Sequence, residues 1–367
     1  MNKYNWQYAQ WPNFQYQVTQ KVEELIYAYI KETSFLSGEF LHLTENYKNE
    51  SLIDIMVSEA VKSSAIEGEH FDVADVRSSI RNQLGLSEKK EAIKDPRSKS
   101  LAKLMILVRQ KFQEPLTVPM LFQWQDLLIT DIYERRQISV GRWRTNKEPM
   151  QIVSGALGHE TVHFEAPPSN QVPKEMDRFI LWFNQSHALR GPIRAAIAHL
   201  YFESIHPFDD GNGRVGRALC EKVLSQELGR PVLLSISKVL YRRKKQYYQE
   251  LEKASHTLEI TSWIEFFVEV IYEAQLEAKE SIHFVFKKAQ FFERYGALLN
   301  ERQLKVIKRM FEEGAEGFEG GMSQKKYVNI AQCSTSSATR DLTELVALGC
   351  FVKLERGGRS TRYDLSL

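Results

Sequence analysis

The sequence predicts an all-α fold, mainly helical with one small β-hairpin, followed by a C-terminal winged helix-turn-helix. Three observations predict it. Apolar residues recur at three- and four-residue spacing over most of the chain. Only Met150–Phe164 and Cys350–Leu365 read instead as short apolar strands around glycine-containing turns. Proline and glycine stand at the ends of these stretches: Pro167-Pro168 ends the first hairpin, and Gly229-Arg230-Pro231 stops a helix.

Taken in order, Glu50–Glu67 sets Leu52, Ile55, Met56, Ala60, Ser63 and Glu67 at helical spacing, with Gly68 as a natural C′ residue. Leu121–Ile132, Lys174–Phe183, Pro192–Ile205 and Arg214–Leu228 share the period, and Pro192 suits the first position of its helix. Between them, two apolar runs flank Ser154-Gly155-Ala156-Leu157-Gly158, giving the hairpin over 150–164. Helical signal from Trp263 to Phe286 fades into a boundary at 288–300. A new unit then shows helices over Glu301–Phe311, Ser323–Ile330 and Ser336–Leu348, and a terminal hairpin around Arg356-Gly357-Gly358-Arg359. The expected domains are 1–110, including a helix over 50–68, then a core over 111–288 and the winged unit over 300–367.

Composition narrows the class. With 367 residues and 43% hydrophobic content the chain has material for a main core and a smaller satellite. A formal charge of +2 excludes a globally basic nucleic-acid binder. Three cysteines are too few for a disulfide framework or a thiolate zinc site. The first residues hold no apolar signal region and no run of eighteen apolar residues follows, so the expectation is a cytoplasmic protein with no membrane partner.

The chemistry lies in Ile205–Arg217 (IHPFDDGNGRVGR). Pro207 disfavours helical geometry at His206, so His206 is presented at a helix exit. Gly211-Asn212-Gly213 leads directly into the next helix. Free N–H donors and the positive dipole end there suit a phosphate. Arg214 and Arg217, three apart, project to one side and can grip further phosphate oxygens. Asp210 can hold a Mg²⁺ ion that bridges phosphates. Gly211-x-Gly213-x-x-Gly216 formally fits a dinucleotide fingerprint, but that motif needs a preceding strand and this segment follows a helix.

This segment resembles the HxFx(D/E)GNGRxxR motif of Fic-domain proteins at every fixed position. The resemblance is tight over 192–217, extends from roughly 117 to 270 and to 63–68, and is only architectural after 300. It implies an all-helical Fic core that transfers AMP from ATP to Ser, Thr or Tyr hydroxyls of a target protein, and of itself. His206 would be the general base, and Asp210 would hold Mg²⁺. Gly211, Asn212 and Gly213 would form the anion hole, while Arg214 and Arg217 would orient the β- and γ-phosphates. Phe208 would anchor the loop in the core. The hairpin over 150–164 resembles the Fic flap, which aligns a target segment by strand addition. Thr161, Val162, His163 and Phe164 would form the strand nearest nucleotide and target, and Tyr247 and Tyr248 would lie near the adenosine. Ser63-Ser-Ala-Ile-Glu67-Gly68 resembles the family's inhibitory [S/T]xxxE[G/N] motif. It implies that Glu67 pairs with Arg217 against the γ-phosphate while Ser63 orients the Glu67 carboxylate.

Residues 323–367 carry seven Lys+Arg against four Asp+Glu, among them Lys325, Lys326, Arg340, Arg356, Arg359 and Arg362. That local basic bias suits DNA phosphates. Winged helices also serve protein contacts or dimerisation, so DNA, a protein partner or a homodimer all stay open. The rival function is accordingly a DNA-binding regulator whose Fic core only senses nucleotide. The Trp-, Tyr- and Gln-rich stretch over 4–16 resembles extensions of some Fic proteins and is given only a packing role.

Overall fold

Short polar caps and left-handed stops cut the chain into helices. The computed structural model describes residues 3–87, 89–129, 138–154, 161–312, 318, 320–354 and 361–367. In order the helices are α1 (Gln20–His42), α2 (Glu45–Ile66), α3 (Val73–Gln83), α4 (Arg97–Gln110), α5 (Val118–Ile129), α6 (Val172–Gln185), α7 (Gly191–Ile205), α8 (Asn212–Leu228), α9 (Ile236–Arg242), α10 (Lys244–Ser255), α11 (Thr261–Tyr295), α12 (Glu301–Phe311), α13 (Gln324–Ala331) and α14 (Thr335–Ala347). Two antiparallel hairpins accompany them, β1 (Gln151–Ser154) with β2 (Thr161–Glu165), and β3 (Phe351–Leu354) with β4 (Arg362–Leu365). The mainly helical class with small hairpins is therefore found.

The caps explain the boundaries. Asp72 accepts from the amides of Ala74 and Asp75, Ser235 from Lys238, and Ser334 from Ser337, each satisfying donors that a first turn leaves open. Asn300 and Gln303 form a reciprocal capping box on α12. Gly229 ends α8 at φ 67°, the left-handed stop that favours glycine.

The chain packs as two compact units, Met1–Glu32 with Leu52–Leu276, and Thr33–Ser51 with Glu277–Leu367. In the first, every residue of α7 is buried, and α8 packs against it. Buried on every face, α7 occupies the centre of this core, with Arg194, His199 and Glu203 buried among its apolar residues. In the second, Phe291, Tyr295, Val306, Met310, Phe311, Tyr327, Leu345 and Phe351 share one core. Beneath it Asp341 is held by Arg302 at 2.9 Å and by the Tyr327 hydroxyl at 3.0 Å.

Several boundaries shift. The helix expected over 50–68 begins at Glu45 and ends at Ile66, so Glu67 stands just past its last turn, with Gly68 at φ 84°. The helix expected to fade at Phe286 continues to Tyr295, because Phe291 and Tyr295 face the second core and extend the period. Pro192 is the second helical residue, after Gly191. Helices α1, α3, α4, α9 and α10 answer to no stretch named from periodicity. The turn expected at 155–158, the end of the helix expected to reach 132, the glycine- and glutamate-rich residues 313–317 and the tip expected at 356–359 lie outside the described residues.

Candidate active site

His206 closes α7 in a left-handed conformation, φ 49° and ψ 61°, with its amide donating to the Phe202 carbonyl at 3.0 Å. A non-glycine residue adopts this region only when its surroundings enforce it. Here Arg144 enforces it. Its Nε donates to the His206 carbonyl at 2.7 Å, and its amide donates to the Pro207 carbonyl at 2.9 Å. Burial pulls the Arg144 guanidinium down to about 10, with Asp209 opposing the fall. Phe208, fully buried, packs its ring 5.1 Å from Trp143 and anchors the loop.

The loop is braced by the side chain of Asn212. Its Oδ1 accepts from the Phe208 amide at 2.9 Å and its Nδ2 donates to the Phe208 carbonyl at 2.8 Å. Asn212 thus locks the turn, leaving its backbone amide for an anion. Gly211 stands at φ 91° as the cap of α8, and its amide donates to Asp210 Oδ1 at 2.6 Å. The next amides, of Asn212 and Gly213, open the first turn of α8, where a helix presents unpaired N–H groups.

Both arginines of that helix are buried and held by carboxylates. Arg217 donates from Nε to the Ser63 hydroxyl at 2.9 Å, and from Nη2 to the Ser63 carbonyl and to Glu67 Oε1, both at 2.8 Å. Its Nη1 is buried without a hydrogen-bond partner. Burial alone would lower the Arg217 pKa, but the Glu67 carboxylate outweighs it and holds the guanidinium firmly charged. Ser63 therefore bonds Arg217 rather than the Glu67 carboxylate it was expected to orient. Glu67 also lies over the helix start, since a Cβ on Gly213 would fall 2.2 Å from its Oε1. Arg214, 2% exposed at its side chain, donates from Nη1 to Glu69 at 2.9 Å and lies 3.5 Å from Asp210.

In front of these residues opens a cavity of about 840 Å³. Its walls include Glu67, His206 and Gly213, with Tyr247, Tyr248 and Leu251 from α10 and Ile152, Val153, His163 and Phe164 from the hairpin. Of the four residues expected along β2, His163 and Phe164 reach the cavity, while Thr161 and Val162 are not among its walls. The register explains this. Ile152 pairs with Phe164 but Val153 with Val162, so His163 is the extra residue of a bulge, a device that re-aims a side chain. Its Nδ1 lies 2.9 Å from Glu252 of α10. Tyr247 is buried with its hydroxyl 2.7 Å from His199, while Tyr248 donates to the Ile66 carbonyl at 3.3 Å.

Asp210 is 35% exposed at its side chain and stands beside the amide-rich turn. Among the described residues, no three His, Cys, Asp or Glu side chains cluster as an all-protein metal cage. A single open carboxylate fits Mg²⁺, which usually takes one or two carboxylates and completes its shell with phosphates and water.

Residues 115–224 match the Fic/DOC family. The chain carries a Fic/DOC domain. Residues 4–86 match a domain of unknown function, DUF4172. A probable protein adenylyltransferase of Aquifex aeolicus is 32% identical over 91 residues, 25% of this chain and 26% of that protein. The protein adenylyltransferase Fic of Drosophila grimshawi is 38% identical over 82 residues, 22% of this chain and 16% of that protein. The matches thus span about a quarter or less of these relatives. A Fic family protein from Desulfovibrio desulfuricans shares the fold with a TM-score of 0.56 at 20% identity, over 95% of this chain and 97% of that one. A Fic domain containing signaling protein from Bacteroides thetaiotaomicron does so with a TM-score of 0.52 at 18% identity, over 74% and 97%.

Sequence reading missed several residues in and around this site. Glu69 follows Glu67 by two positions, and its spacing from Glu67 mirrors nothing in the motif. Arg144 carries no local signal at all. Asn5 donates to the Ser204 hydroxyl at 2.7 Å and Trp6 to the Glu165 carbonyl at 2.7 Å, so the 4–16 stretch braces both α7 and the flap. Tyr4 adds a ring contact to Phe164 at 5.1 Å. Glu59 accepts from the Ser235 hydroxyl and the Ser237 amide, both at 2.9 Å, and ties α2 to the start of α9.

Proposed function

We propose that the chain transfers AMP from ATP to a hydroxyl of a target protein, and that Glu67 restrains the reaction. The observation that carries this reading is the convergence of His206, Gly213 in the first turn of α8 and Glu67, which engages buried Arg217, on one cavity of nucleotide size. Substrate phosphates would lie on the amides of Asn212 and Gly213, with Arg214 and Arg217 on the departing diphosphate. His206 takes the proton of the attacking Ser, Thr or Tyr hydroxyl. The freed electron pair forms the bond to the α-phosphorus, and diphosphate leaves with the electrons of the broken bond. Bound at Asp210, Mg²⁺ would neutralise phosphate charge. Positioning and charge complementarity are most of what phosphoryl chemistry asks of a protein.

Glu67 supports the restraint because its carboxylate lies against Gly213 and engages Arg217. A nucleotide must displace one anion with another there. The flap, with its β2 strand, is the surface along which a target segment would align.

Incubation of Glu67→Gly chain with ATP and mass spectrometry of the products tests the reading. AMP should appear on the chain itself or on proteins of a lysate, and His206→Ala in the same background should remove it. A Glu67→Gly chain that binds ATP yet leaves AMP on nothing would sink it.

The C-terminal unit supports a second activity beside this one. On α14 the exposed residues are mostly short, Thr335, Ser336, Thr339, Thr343 and Ala347, with Arg340 and Glu344 as the charged ones. Such a face fits a DNA groove, and binding would weaken steeply with salt. A mobility shift of duplex DNA by the full chain, lost in Arg340→Ala, is the expected result.

A further inference from the structure

We propose that Glu203 is a positioning residue for His206: its carboxylate holds the Nδ1–H of the imidazole, so that Nε2 meets the cavity unprotonated and receives the proton of the target hydroxyl. This rests on the reading of His206 as the base. Glu203 stands one turn before His206 on α7, and its Oε2 lies 3.6 Å from His206 Nδ1, with the side chains 7% and 15% exposed. Both residues line the cavity. His206 Nδ1 is buried and makes no hydrogen bond, and neither does Glu203 Oε1. A buried imidazole nitrogen is costly to leave unsatisfied, and Glu203 Oε2 is the carboxylate oxygen beside it, while Oε1 lies on the Gly216 side with the unpaired His199 Nδ1. Contacts of this kind are often long before substrate binds and tighten in the reacting complex.

The surroundings keep Glu203 ionised. Burial works to raise its pKa, but the His206 contact and the nearby Arg217 guanidinium outweigh it and hold it below the usual carboxylate range. The groups facing this pair come from four elements: His199 on α7, Arg217 on α8, Tyr247 on α10 and Glu67 after α2. His199 is driven toward its neutral form by burial, and its Nε2 is engaged with Tyr247, so Glu203 is the charged partner within reach of His206. Opposite, Gly216 is required. A Cβ there would fall 2.9 Å from both Glu203 Oε1 and His199 Nδ1. The arrangement matters because a ring nitrogen's proton is set by what the other nitrogen bonds. An imidazole carrying its proton on Nε2 could not accept another from the hydroxyl.

The test is the tautomer of His206 in the full chain, read from long-range ¹H–¹⁵N spectra of ¹⁵N-histidine protein, with the signal assigned by its loss in His206→Ala. The parent should show the Nδ1–H form, and Glu203→Leu should shift it toward Nε2–H. In the Glu67→Gly background, Glu203→Leu should lower kcat for AMP transfer about 100-fold with the ATP KM within about threefold. Glu203→Gln, which keeps an acceptor oxygen, should retain more of the rate. An Nε2–H tautomer in the parent overturns the proposal, and so does an unchanged tautomer in Glu203→Leu. A changed KM at constant kcat does the same, since it would place Glu203 with Arg217 and the nucleotide instead. If Glu67→Gly transfers no AMP, the function reading fails, while the tautomer still decides the Glu203 contact.

Discussion

Glu69 accepts a hydrogen bond from Arg214 at 2.9 Å, two residues beyond the Glu67 that accepts one from Arg217 at 2.8 Å. The segment that follows α2 therefore lays two carboxylates on two arginines that lie one turn apart on α8. Burial raises the Glu69 pKa, against the pull of Arg214, so this carboxylate is the less comfortable of the two acids in its place. Besides Glu69, Arg214 has only the longer contact of Nη2 with Asp210 at 3.5 Å among the described ion pairs, and its Nε and Nη2 are buried without a hydrogen bond.

Glu69→Ala should therefore lower thermal stability without nucleotide, because a buried guanidinium loses its partner. In the Glu67→Gly background it should also tighten ATP about tenfold, the scale of one hydrogen bond to a charged group. Titration with a fluorescent ATP analogue and melting curves with and without ATP check both. Unchanged affinity would make the contact incidental to nucleotide.

Gly213→Ala places a methyl group 2.2 Å from Glu67 Oε1. The expected melting temperature falls in the parent but much less in the Glu67→Gly chain, a non-additive pair in a double-mutant cycle. Nucleotide affinity should drop in both, since the methyl stands over the amides of the first turn. Additive melting shifts would show that the Glu67 carboxylate does not occupy that space.

Asn212→Asp removes the amide donor to the Phe208 carbonyl while sparing the acceptor to the Phe208 amide. A buried carbonyl left unpaired costs about 1–3 kcal/mol, and the loss should appear as a lower urea midpoint at constant slope. Asn212→Ala should be worse, losing both bonds. Equal stability of Asn212→Asp and the parent would remove the brace.

Trp6→Phe deletes the donor to Glu165 at the end of β2 while keeping an apolar ring. Amide exchange over Thr161–Glu165 should quicken, by a few-fold to about tenfold for a bond of about 1 kcal/mol, with α12–α14 unaffected. No change in β2 protection would mean that the N-terminal segment does not secure the flap.

Much of the site is legible in the sequence because it is local. Pro207 after His206, the glycines around Asn212 and the Arg214–Arg217 spacing act through neighbours in the chain, and each is found in place. The Glu67 pattern is legible as a motif, although its helix stops one residue earlier than its period suggests. Ser63 reads as a support for Glu67 because both lie on one helical face, yet the buried Arg217 guanidinium presents Nε to it first. The flap residues show the same limit. A one-residue bulge exchanges faces along β2, so alternation alone could not say that His163 rather than Val162 meets the cavity.

The sequence by itself determined the helical class, the loop that delivers His206 and the pair of arginines beyond it, since backbone preferences and helical spacing operate over a few residues. Only the tertiary structure decided which groups these residues answer to. Arg144, Glu69, Asn5 and Glu203 reach the site from separate places in the chain or across a helix face, and burial gives each contact its strength. Charge and hydrogen bonding between distant segments depend on distance and on exclusion of water, and neither is written in residue order.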